Sequence, residues 1–95
     1  MTQSINLLPT VTVGTTAVQV DTRGLTFRQF GSISLQADAA NAGIIYVGDS
    51  TVTTSKYARA LAASDWMTIV GDAVDGSAIW VVASAAAQVL HPSGT

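Results

Sequence analysis

The stretch LTFRQFGSISLQA, residues 25–37, alternates with a period of two: Leu25, Phe27, Ile33 and Leu35 share one parity, and Arg28, Ser32, Ser34 and Gln36 share the other. Successive side chains of a strand point to opposite faces, so this pattern predicts a β-strand with one face in a core and one outside it. Phe30 falls on the polar parity beside Gly31, which predicts a bulge that re-aims it.

Upstream, TVTVGTTAVQV (10–20) alternates threonine and valine, whose stiff branched side chains suit a pleated surface, and a bend is expected at Gly14. Downstream, GIIYV (43–47), DWMTIV (65–70), AIWVV (78–82) and AQVL (87–90) predict further short strands, with turns at Gly48-Asp49, Gly71-Asp72 and Asp75-Gly76. Val-Gly-Asp occurs at 47–49 and again at 70–72, each time after an apolar run, and reads as two equivalent strand ends. The segment SKYARALAAS (55–64) has helix-favouring residues, but its apolar spacing is not helical, and a short strand around Ala58–Leu61 is expected instead. Many short strands at close spacing predict an all-β fold, a small antiparallel β-sandwich or barrel of jelly-roll-like character. Residues 1–9 read as an extended N-terminal arm, 10–91 as the single β domain and 92–95 as a tail.

Ninety-five residues suffice for one domain with a thin core, since a chain of this mass buries roughly 64% of its unfolded surface. Small domains gain further stability from disulfides, a structural metal or oligomerisation. With no cysteine and the single histidine His91, neither a disulfide nor an imidazole-rich or thiolate metal site is expected, and oligomerisation remains. Charged residues make up only 11% of the chain and mean hydropathy is +0.42, which describes a surface suited to packing against other protein.

A net charge of −2, with only Arg23, Arg28, Lys56 and Arg59 as cations, argues against nucleic acid as a partner. The longest apolar run, 78–90, is interrupted by Ser84 and Gln88 and is too short to span a bilayer, so no membrane partner is expected. MTQSINLLPT lacks the layout of a secretory signal, which predicts a soluble protein made in the cytoplasm.

Neither a glycine-rich phosphate cradle nor a motif for nucleophilic catalysis is found, and no enzyme activity and no cofactor are expected. His91 precedes Pro92 after the last expected strand and reads as part of a solvated chain end. Asp72 and Asp75 could form a carboxylate pair for glycoside chemistry, but aspartates at a turn ordinarily stabilise the turn. Asp38, Asn41 and Asp49 offer oxygen ligands that a calcium ion could use, without the spaced acidic set such sites need, so no metal is expected. Tyr46, Trp66 and Trp80 could stack on sugars, although single aromatics on strands serve more often as core or interface anchors.

In QADAANAGIIYVGDSTVT (36–53), Asp38 and Asn41 are expected to satisfy the backbone of a tight connection and Gly43 to supply dihedral freedom. Ile45 and Val47 then re-enter the core, and Ile44 and Tyr46 are left to meet another subunit. The surface expected to carry contacts comprises Ile5, Leu7 and Leu8 in the arm, with Phe30, Ile44, Tyr46 and Trp66 on the sheets.

Two stretches, ISLQADAANAGIIYVG (33–48) and IWVVASAAAQV (79–89), together with VTVGTTAVQV (11–20), resemble small virion proteins of tailed bacteriophages and prophages. The chain departs from that pattern at Arg28-Gln29-Phe30-Gly31, where a Pro-Cys-rich turn is usual, and at Ala63-Ser64-Asp65, where a Pro-Gly-Glu-like turn is usual. The resemblance implies a virion part of the kind that serves as capsid cement, as a decoration trimer or as the capsid-bound part of a head fibre. Taken with the composition, the expected role is a capsid decoration or cement protein that binds the outer capsid surface of the virion and stabilises the head, with itself, as a homotrimer, and the major capsid protein as partners. A tail or head-fibre component with a receptor-binding element, or a small carbohydrate-binding module, is the alternative.

Overall fold

A computed structural model describes the backbone of residues 6–7, 10–20, 29–75 and 78–94. The described residues form an all-β sandwich of nine strands: β1 (Asn6–Leu7), β2 (Val11–Val13), β3 (Val18–Gln19), β4 (Gln29–Ala37), β5 (Ile45–Gly48), β6 (Arg59–Leu61), β7 (Trp66–Asp75), β8 (Trp80–Ala83) and β9 (Gln88–Gly94). One sheet has the order β1-β9-β4-β7, with β2 also on β9, and the other has the order β3-β8-β5-β6. Every pairing is antiparallel. No α-helix occurs among the described residues, and the segment 55–64 contributes β6, close to the strand expected there.

The core lies between the sheets. Val13, Ile33, Leu35, Ala37 and Leu90 point in from the five-stranded sheet, and Val20, Ile45, Val47, Leu61, Ile79, Val81 and Ala83 from the four-stranded one. The parity read in residues 33–37 therefore holds, because a sandwich sheet buries one face only. Leu25 and Phe27 lie outside the described residues, as do Ile5 and Leu8; for Leu7 and Phe30 only the backbone is described.

Three expectations are corrected. Residues 10–20 are two strands in different sheets rather than one bent strand: β2 pairs with β9 and β3 with β8. Gly14 marks the crossing, and its carbonyl accepts a hydrogen bond from Ala83 N at 2.8 Å. Gly71-Asp72 is not a turn. β7 runs through it, and the register shifts where Phe30 opposes Val74 but Ser32 opposes Val70, so three residues of β7 face one of β4. The bulge expected near Phe30-Gly31 is present, with its extra residues on the partner strand, and only the first Val-Gly-Asp is a strand end. Finally, residues 92–94 belong to β9 rather than to a tail, and Pro92 opposes Leu35.

Candidate functional site

The chain crosses between the sheets at residues 38–44, from β4 to β5, and returns at 84–87, from β8 to β9. These two connections are bonded to one another by side chains. Asn41 Oδ1 accepts from Val89 N at 2.8 Å, and its Nδ2 donates to Val89 O at 2.9 Å. Asp38 N also donates to Val89 O, at 3.0 Å, so both lone pairs of that carbonyl are used. Gln88, only 5% exposed, accepts from Gly43 N at 2.8 Å and donates to Ala86 O at 2.8 Å. Ser84 Oγ accepts from Ile44 N at 2.9 Å.

Asp38 closes the arrangement: its Oδ2 accepts from Ala40 N at 2.9 Å, and its Oδ1 lies 2.8 Å from His91 Nε2. A carboxylate can only accept, so Nε2 carries the proton. The His91 hydrogen bond, followed by that of Ala40, holds the Asp38 carboxyl below its ordinary value. His91 is thus a residue of β9 tied to the neighbouring connection, not a solvated chain end.

Asp38, Asn41, Gly43, Ser84 and Gln88 together fasten one end of the sandwich. Gly43 serves by size rather than by dihedral freedom, since an added Cβ would come 2.9 Å from Ser84 Oγ and 3.1 Å from Ala85 Cβ. Gln88 and Ser84 bond to Gly43 and Ile44, 45 and 40 residues away, and no local pattern announces them.

The idea of a calcium site on Asp38, Asn41 and Asp49 meets a different geometry. Asp49 lies beyond the other end of β5, where its carboxylate accepts from Thr51 N at 2.8 Å and from the Thr51 hydroxyl, bonds that lower its pKa, the hydroxyl foremost. No group of three or more potential ligands gathers among the described residues. Asp72 and Asp75 both fall in β7, and their side chains lie outside the described residues.

The two outer faces of the sandwich differ in chemistry. On the four-stranded sheet Tyr46 opposes Val82, and Gly48 opposes Trp80. The connection 49–58 folds back beside them, with the Tyr57 ring tilted at 48° and 4.6 Å from the Tyr46 ring. Val52 packs so closely on Gly48 that a Cβ there would lie 3.0 Å from Val52 Cγ2. Val52 and Val82 are both buried yet stand outside the inter-sheet core, so this face carries a small apolar layer of its own. Tyr46, expected to stand free for another subunit, already packs on Tyr57 of its own chain; Ile44 is 36% exposed.

On the five-stranded sheet the described outer face mixes polar side chains with exposed apolar ones. Trp66, Gln36 and His91 form one cross-strand row, and Thr68, Ser34 and Ser93 form the next. Ser34 Oγ and Thr68 Oγ1 are 3.1 Å apart. A shallow depression of about 480 Å³ runs over Gln36, His91 and Ser93 to Trp66. Trp66 is 64% exposed and Val70, on the same parity of β7, is 77% exposed. Trp66 and Trp80 belong to different sheets, so the three aromatics named as a sugar platform are not one surface.

No helix among the described residues is long and apolar enough to cross a membrane. Compared with known protein families, with curated proteins and with solved structures, the chain matches none.

Proposed function

We propose that this chain is a structural protein of a tailed-phage virion that binds the outer capsid surface as an oligomer and stabilises the head, without catalysing a reaction. The observation that carries this reading is the surface: a chain with 11% charged residues leaves Ile44, Tyr57, Trp66 and Val70 exposed, and two of these lie on one strand. Large apolar side chains on a weakly charged surface favour protein partners. The resemblance to virion proteins noted in the sequence points the same way.

The test is the particle itself. Mass spectrometry of purified virions should find the chain in stoichiometric amount, and electron microscopy should place it on the capsid shell. Density on the tail or on a fibre would replace this reading with that of a tail or fibre component. Absence from the particle would end it.

A further inference from the structure

β7 is the last strand of the five-stranded sheet: it pairs with β4 on one side, and no described strand lies on the other. Edge strands present unpaired backbone groups and are usually blunted by brevity, charge, proline or a bulge. One edge of the other sheet follows that rule, since β6 has three residues and begins with Arg59. β7 follows it only beyond Val70, where its register shift against β4, Asp72 and Asp75 lie. Its first half, Trp66-Met67-Thr68-Ile69-Val70, contains neither a charge nor a proline and stays in register with β4.

We propose that β7 pairs antiparallel with β7 of a second copy, about a two-fold axis through Thr68. The choice of partner rests on the self-complementarity of the strand. In that register Trp66 of each copy faces Val70 of the other, so the two most exposed large apolar side chains of the structure cover one another. Thr68 faces Thr68. On the inner parity Met67 faces Ile69, and since both already pack against the core as half-buried residues, the pairing continues that core across the axis. Charge is compatible as well: Trp66 to Val70 holds no charged residue, so no like charges oppose one another across the axis. A two-fold contact uses the same patch on both subunits, as this one does, and closes at two copies. It therefore predicts a dimer where the resemblance implies a trimer. It concerns the isolated protein, and its outcome is independent of where in a virion the chain is placed.

The chain has no cysteine of its own, which makes single-cysteine cross-linking a clean test. Directly opposed Cα atoms of antiparallel strands are about 4.5–5.5 Å apart, within the range a disulfide spans. Thr68→Cys should therefore form a covalent dimer under mild oxidation. Val70→Cys, at a more exposed strand position, should not, because Val70 and its symmetry mate are four residues out of register, about 13 Å apart. The unmodified protein should sediment at twice the 9.7 kDa chain mass, and Val70→Lys should shift it to a single chain with an unchanged circular dichroism spectrum. Sedimentation of the unmodified protein as a monomer or trimer, or cross-linking of the two cysteine variants at equal rates, overturns the pairing.

Discussion

Asn41 brackets Val89 from 48 residues away, receiving its N–H at 2.8 Å and donating to its C=O at 2.9 Å. The carbonyl keeps a second donor in Asp38 N, whereas the Val89 amide relies on Asn41 for its side-chain bond. Asn41→Ala should lower unfolding free energy by about 1–3 kcal/mol in a urea titration, the usual cost of leaving a partly buried backbone group unpaired. Asn41→Asp restores the acceptor but not the donor and should fall between the two. A loss below about 0.5 kcal/mol for the alanine variant, the range of ordinary surface changes, would show that the bracket is not a fastening.

The glycines grade the closeness of the packing. Gly43→Ala meets Ser84 Oγ at 2.9 Å and Ala85 Cβ at 3.1 Å and should cost about 1–3 kcal/mol as overpacking. Gly48→Ala meets Val52 Cγ2 at 3.0 Å and should cost less, because a single valine can shift with its loop. Gly14→Ala meets nothing within 4 Å and should stay within about 0.5 kcal/mol of the parent. Thermal melts of the three variants check the order, and an equal effect at all three sites would refute it.

The hydrogen bond from His91 gives Asp38 a pH dependence of definite sign. Its folded-state carboxyl is held below the ordinary 3.8, so the stabilisation is present above that value and is lost as pH falls through the folded value. The window thus lies at and below pH 3.8. An NMR titration of the aspartate carboxyls should show Asp38 and Asp49 both depressed. His91→Ala should move Asp38 upward and leave Asp49, which is held by Thr51, where it was. If Asp38 does not move, the contact with His91 is not what sets its titration.

Where burial on one face governed the outcome, the fold was legible. Ile33, Leu35, Ile45 and Val47 all point into the core as their parity predicts, and Phe30-Gly31 sits at a register shift as its broken parity suggests. What escaped depended on distant partners. Gly71-Asp72 has the composition of a turn, but the ladder with β4 carries the chain through it as a bulge. HPSG has the composition of a tail, yet it continues β9, with Pro92 opposite Leu35 and Ser93 opposite Ser34. Of the side chains named for contacts, Ile44, singled out by parity, and Trp66, singled out as an aromatic on a strand, are exposed, while the exposed Tyr57 and Val70 were not named because nothing local marks a fold-back loop or a bare edge.

The outer side of β9 bears on the N-terminal segment. Asn6 and Leu7 pair with Gly94 and Ser93, while β2 independently pairs with Gln88 to Leu90, so two short strands share one edge of β9. Removing residues 1–8 should leave β2 and the inter-sheet core in place, and with them the β-type circular dichroism spectrum. It should also open the last turn of the ladder and create a new free edge at the C-terminal end of β9. Hydrogen exchange is the discriminating measurement: amides at Ser93 and Gly94 should lose protection, while those at Gln88 to Leu90 keep it. Uniform loss along β9 would mean that β1 supports the whole strand. No loss at Ser93 and Gly94 would mean that β4 alone, through Ser34 and Ile33, secures that end.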